Sequence, residues 1–240
     1  MRYGKFASVY DELMEDIPYD RYVEWVGSSV QSGKLLDLAC GTGTLSQLFS
    51  EVGFEVTASD LSEDMLAIAS QRFTEANAPI PVLQLSMDNL EGINGFDAVT
   101  IAIDSLNYLE TEEEVKRTFA EVYAALNAGG HFFFDVHSLF KVDHVYMDSP
   151  FVLDGENVAF IWHTEPGAHA HSVIHDITFF MRHGELFERF EETHEQRTFP
   201  VESYTAWLEQ AGFRVESVTA DFTGQSPSEE SERIFFHAIK

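Results

Sequence analysis

The sequence predicts an α/β domain built on a doubly wound parallel sheet, and three observations predict it. Five short apolar runs alternate with helix-patterned segments between residues 34 and 137. The first run, "KLLDLAC", passes directly into a small-residue turn, Ala39-Cys40-Gly41-Thr42-Gly43. The first two runs carry Asp37 and Asp60 near their ends, and Asp88 follows the third. In a parallel sheet those ends share one edge, the edge at which open α/β sheets bind ligands.

Taken in order, Tyr3, Phe6, Tyr10, Leu13 and Ile17 are spaced three or four apart, as one face of an amphipathic helix that Pro18 ends. A second helix is expected from about Asp20 to Ser29, with Tyr22, Val23, Trp25 and Val26 as its apolar content. "KLLDLAC" reads as a buried strand and "TLSQLFSEV" as a helix ending near Gly53; "FEVTASD" is the second strand. Ser62 caps the helix "EDMLAIASQRFTEA", whose Glu63 and Asp64 suit its positive N-terminal end. "PVLQLS" and "FDAVTIAI" are strands three and four. "TEEEVKRTFAEVYAALN" is a helix expected to stop at Gly129-Gly130, before the fifth strand "HFFFDV". From about residue 150 to 199 the helical period is lost. "NVAFIWHTE", "SVIHDITFFMR" and "ELFERFEETHEQRTF" read as an antiparallel meander with turns at Pro166-Gly167 and His183-Gly184. "VESYTAWLEQAGF" restores a helix, and "RVESVTADF" and "RIFFHAIK" are the final strands. The expected organisation is one domain over 1–240: a helical lid at 1–32, a binding core at 33–140, an antiparallel insertion at 150–199, and a closing helix and strands at 200–240.

Composition narrows the function. The 240 residues are 45% hydrophobic, enough for one sizeable core. A net charge of −27, with Lys116-Arg117 as the nearest approach to a basic patch, disfavours nucleic acid as a partner. No apolar run approaches the ~20 residues of a membrane span. The acidic, aromatic start "MRYGKFASVYDELMED" is not a secretory signal. A lone Cys40 excludes an intrachain disulfide and fits a reducing, cytoplasmic setting. No activating neighbour of Cys40 is visible, so it reads as a small buried thiol. His169, His171 and His175 fit no standard metal-ligand spacing, and no metal is expected.

The turn at 39–43 decides the ligand. A dinucleotide turn reads G-x-G-x-x-G with the pyrophosphate on the helix N-terminus. Gly41 and Gly43 supply two glycines, but Ser46 stands at the third position, and Asp37 in the strand end repels a diphosphate. The same carboxylate can hold an ammonium group. Asp60 can accept from both ribose hydroxyls, Asp88 from an adenine amine, and Met87 can cover the ring. Together they describe a site for an adenosine with a zwitterionic tail.

These segments resemble the class I S-adenosylmethionine-dependent methyltransferases. "LLDLACGTGTLS" resembles the first motif of that family, with Ala39 in place of its first glycine. "VTASDLSEDML" resembles the second, "LSMDNL" the third, "FDAVTIAIDSLNYL" the fourth and "LNAGGHFFFDVHS" the motif of strand five. The N-terminal "YGKFASVYDELM" is similar to the bacterial YqeM-like group of small methyltransferases. The resemblance implies a seven-stranded sheet of order 3-2-1-4-5-7-6 with the last strand antiparallel, and S-adenosyl-L-methionine as cofactor. It places Asp37, Ala39, Gly41, Gly43, Asp60, Leu61, Met65, Met87, Asp88 and Asp104 around that cofactor, with Tyr10 closing over it from the lid. On the acceptor side His137 is the candidate base, beside Tyr108. Asn107 and, from the insertion, Trp162, His194 and Arg197 are candidates to contact the acceptor.

The acidic surface and the insertion favour a small-molecule acceptor, and no Asp-Pro-Pro-Tyr-like segment follows strand four. The chain is expected to act as a monomer or homodimer. A nicotinamide oxidoreductase would need a third glycine at 46 and a Tyr-x-x-x-Lys, and neither is present. A module that binds the nucleoside without transferring its methyl group is the alternative outside enzymology.

Overall fold

The computed structural model describes residues 16–240. The helix expected over Tyr3, Phe6, Tyr10 and Leu13 therefore lies outside the described residues, as does the assignment of Tyr10 to the cofactor.

Seven strands form one sheet. They are β1 (Gly33–Leu38), β2 (Phe54–Asp60), β3 (Val82–Gln84), β4 (Phe96–Ile101), β5 (Leu126–His137), β10 (Arg214–Ala220) and β11 (Arg233–Ile239), in the order β10-β11-β5-β4-β1-β2-β3. β11 runs antiparallel to both its neighbours, and the other pairs are parallel. This is the expected order 3-2-1-4-5-7-6.

Strand alternation divides the core into two layers. Leu36, Val99, Phe132, Phe134 and Phe236 face one side, against α4 (Glu112–Ala125) and α6 (Val201–Ala211). Their sequence neighbours Leu35, Ala98, Phe133 and Phe235 face the other, against α1 (Tyr19–Gly27), α2 (Thr44–Glu51) and α3 (Glu63–Glu75). Ser62 caps α3 by accepting from the Met65 N–H at 3.3 Å. α4 starts in a capping box in which the Thr111 hydroxyl accepts from the Glu114 N–H and the Glu114 carboxylate accepts from the Thr111 N–H. Among the described residues no helix is long and apolar enough to cross a membrane.

Two element boundaries differ from expectation. α4 ends at Ala125, short of Gly129-Gly130, because Leu126 turns extended and is buried. The last helical carbonyls find partners elsewhere: Ala125 accepts from the Gly95 N–H at 2.9 Å, and the Lys240 ammonium donates to Tyr123 and Leu126. The meander has four strands instead of three: β6 (Phe151–Asp154), β7 (Val158–Pro166), β8 (Ser172–His183) and β9 (Leu186–Arg197) form a second, antiparallel sheet in that order. β6 is a four-residue edge strand whose sequence carries little pattern; its pairing with Ala159–Trp162 of β7 defines it.

The turn between β1 and α2 is backbone-limited. Gly41 and Gly43 have φ of 57° and 81°, and Ala39 shares the left-handed region at 64°. A Cβ on Gly43 would stand 2.6 Å from Cζ of Phe73, a buried residue of α3. Gly43→Ala is expected to destabilise the protein by about 2–4 kcal/mol, combining left-handed strain with overpacking. Urea denaturation measures it, and a loss under about 1 kcal/mol would mean that α3 shifts freely and does not fix the turn.

Candidate active site

The acidic strand ends converge as the sheet topology requires. Asp60 ends β2 and accepts from the Gly41 N–H at 2.9 Å and the Ser62 N–H at 2.8 Å, so one carboxylate ties the glycine turn to the start of α3. Burial pushes its carboxyl up, against the pull of those N–H donors. Asp37, 1% exposed, accepts from the Ser46 hydroxyl at 2.5 Å and the Thr100 hydroxyl at 2.9 Å. Burial pushes it up as well, and the two hydroxyls oppose this. Ser46, where a dinucleotide turn would have glycine, is thus a ligand of Asp37. Cys40 lies within the turn with its thiol pushed far up by burial, which leaves it protonated and unreactive.

Two adjoining cavities open at this edge. A small one is bounded by Tyr19, Asp37, Gly41, Thr44, Ile103 and Ser105. The larger, about 710 Å³, shares Ala39, Gly41 and Ser105 with it and continues past Asp60, Leu61, Met65 and Met87. It is also lined by Tyr108 and Leu109 of the core and by Thr193, His194 and Glu195 of β9. That volume lies within the ~300–1,000 Å³ of small-ligand sites. Leu61 is 67% exposed on its wall, an apolar surface suited to a flat ring. Tyr108 and His194, chosen from the sequence for different roles, meet edge to face with ring centroids 6.0 Å apart.

Other expected site residues stand elsewhere. Asp88 is not on the cavity wall; its carboxylate accepts from Ser86 at 2.6 Å and pairs with Arg117 at 2.7 Å, which holds its carboxyl low. His137, expected as the acceptor-side base, is buried among other side chains. It is 2% exposed and borders neither cavity, and its Nε2 meets the Tyr146 hydroxyl at 3.0 Å and Asp104 at 3.3 Å. Asn107 is fully buried and spent on backbone, donating to the Arg197 carbonyl at 2.8 Å and accepting from the His137 N–H at 2.9 Å. The Arg197 guanidinium donates to the carbonyls of Glu110 and Ala170 and lies over the Phe199 ring. Trp162 packs among Tyr146, Phe151 and Val173 and donates to His175 Nδ1 at 3.1 Å. His171 pairs with Asp143 at 2.7 Å, away from His175.

Asp104, expected at the cofactor, belongs to a charge cluster that sequence reading missed. Its carboxylate pairs with Arg233 at 2.8 Å and accepts from Gln196 at 2.9 Å. Burial would raise it, but His137 and Arg233 hold it far below the usual carboxylate range. Asp135, 0% exposed, pairs with Arg233 and the Tyr22 hydroxyl and accepts the consecutive N–H groups of Ile103 (2.7 Å) and Asp104 (3.1 Å). Those two residues have φ of 56° and 50°, a left-handed conformation costing about 1–2 kcal/mol each. The only sequence signal for this is an Arg at the start of a largely apolar last strand.

A methyltransferase-domain family model matches residues 35–130. The YqeM protein of Bacillus subtilis (strain 168) is 50% identical over 242 residues, covering 100% of this chain and 98% of its own. The crystal structure of an S-adenosylmethionine-dependent methyltransferase from Clostridium acetobutylicum ATCC 824 is 29% identical, covers 99% of this chain and 98% of that one, and superposes with a TM-score of 0.89. The dTDP-3-amino-3,4,6-trideoxy-alpha-D-glucopyranose N,N-dimethyltransferase of Streptomyces venezuelae is 34% identical over 100 residues, 42% of this chain and 40% of its own.

His175 gives the site region a pH dependence. Burial, then the neighbouring His137, push its imidazole down to about 4. The unfolded chain, near 6.5, then binds more protons between these values, so stability falls as the pH drops from about 6.5 to about 4, by up to about 3 kcal/mol for this group. Urea unfolding at a series of pH values should show that slope, reduced in His175→Phe; an equal slope in the variant would assign the protons elsewhere.

Proposed function

The chain belongs to the class I S-adenosylmethionine-dependent methyltransferases, and from that premise we propose that it methylates a small-molecule acceptor seated against Tyr108 and His194. The observation that carries this reading is the meeting of those two rings on the wall of the cavity that also reaches Asp60 at the end of β2.

The residues present fit the cofactor. Each oxygen of Asp60 takes one backbone N–H and keeps a lone pair for a ribose hydroxyl. Leu61, Met65 and Met87 offer apolar cover to the adenine. Ala39, Gly41 and Ser105 line the passage to the small cavity, where the buried charge of Asp37 favours an ammonium group. S-adenosylmethionine supplies a methyl group already activated by the positive sulfur, so the protein's task is alignment at about 3 Å and exclusion of water. β9 supplies that exclusion by walling the cavity with Thr193, His194 and Glu195. His194, when neutral, can take a proton from an oxygen or nitrogen acceptor, and Tyr108 can orient it by hydrogen bonding. A net charge of −27 and a cavity walled by the insertion suit a metabolite better than a polynucleotide. The related Streptomyces enzyme, named for a nucleotide-linked amino sugar, gives the same direction.

Incubation with methyl-labelled S-adenosylmethionine and a cell extract split into metabolite, RNA and protein fractions tests the function. Label in the metabolite fraction is expected; label confined to RNA or protein would overturn the small-molecule reading. Asp60→Ala should weaken S-adenosylhomocysteine binding by about 1–3 kcal/mol in calorimetry, and an unchanged affinity in the folded variant removes Asp60 from the site. His194→Ala should slow methyl transfer about 10²-fold with cofactor affinity retained. Full activity would leave the acceptor to shed its proton without this ring.

A further inference from the structure

The cofactor side and the acceptor side of the cavity come from different sheets, and a half-buried contact joins them. His194, Gln196 and Thr198 alternate along the end of β9 and its exit, and all three are buried. His194 stands on the cavity wall. Two residues on, the Gln196 amide, 4% exposed, donates to Asp104 Oδ2 at 2.9 Å. Asp104 follows Ile103 and precedes Ser105, both of which bound the small cavity beside the glycine turn. Asp135 accepts the N–H groups of Ile103 and Asp104, so the Asp104 carboxylate moves with the 103–105 backbone that bounds the small cavity. Among the described residues that hydrogen-bond or pair with the Asp104 side chain, Arg233 and His137 belong to the main sheet, and Gln196 alone belongs to the insertion.

We propose that Gln196 is a positioning residue for methyl transfer: by donating to Asp104 it fixes the acceptor wall of β9 against the turn that borders the cofactor. This rests on the methyltransferase reading above. A donor amide facing a half-buried carboxylate makes a charge-assisted hydrogen bond, stronger than a neutral one. Occupation of the small cavity restrains Ile103 and Ser105, hence Asp104, and through Gln196 the strand that carries His194. The cofactor therefore orders the acceptor wall before the acceptor arrives.

Hydrogen exchange of the full chain, with and without S-adenosylhomocysteine, tests this without knowledge of the acceptor. In the wild type the nucleoside should slow exchange at the amides of 193–196. In Gln196→Met, which keeps the length of the side chain and loses the donation, S-adenosylhomocysteine affinity should stay within about twofold while that slowing shrinks about tenfold. Gln196→Ala should behave alike. In the extract assay both variants should lower the maximal rate while the KM for S-adenosylmethionine stays put. Retained slowing at 193–196 in both variants overturns the proposal, as does slowing lost only in proportion to lost affinity, or a wild type with no slowing there. Failure of the wild type to bind S-adenosylhomocysteine is a different result: it overturns the methyltransferase reading and this inference with it.

Discussion

The architecture of the site hangs on one buried ion cluster, Asp135 with Arg233 and Asp104. Asp135 holds two successive left-handed residues at the end of β4, a backbone conformation that does not persist without an over-determining partner. Arg233 supplies the compensating charge from β11, and the Tyr22 hydroxyl reaches the same carboxylate from α1. Removing any of these charges leaves another buried without its partner, which costs far more than the intact cluster contributes. The cluster explains why the last strand of an apolar sheet opens on an arginine. It also explains why Asp104, in a segment that borders the cofactor in the family, turns inward here.

That fixed turn divides the space at the sheet edge. On one side is the small cavity beside the glycine turn; on the other is the larger cavity that runs out to the insertion. The near end of the second sheet is stapled to the core through Asn107 to the Arg197 carbonyl, Arg197 to the Glu110 carbonyl and Thr198 to the His137 carbonyl. These contacts take residues that look chemical in the sequence and commit them to backbone. His194, between the staples and the solvent-exposed Leu186 and Phe187, keeps its place on the cavity wall.

Much of the main sheet was legible because its signals are local. An apolar run, a turn residue and a capping serine each act within a few positions, so β2 and α3 fall almost where the pattern puts them. Asp37 and Asp60 were legible for a related reason: parallel strands separated by helices bring their ends to one edge whatever else the chain does. β6 was not, since four residues at an edge have no period to read and exist as a strand only by pairing with β7. The end of α4 was misread because glycine is not the only terminator. The buried Leu126 and the Lys240 ammonium, 114 residues away, set it instead.

The sequence by itself determined the family, the strand order and the cofactor, all of which follow from short motifs and the handedness of parallel crossovers. Only the tertiary structure decided what each polar side chain after strands four and five does. A histidine, an asparagine and an aspartate at strand ends read alike in sequence as candidates for chemistry. Their roles depend on which groups from distant segments meet them. Here Arg233, Gln196 and Tyr146 meet Asp104 and His137, while Tyr108 and His194 line the cavity. Burial and partnership are properties of the assembled chain, and they separate a wall of the site from the frame behind it.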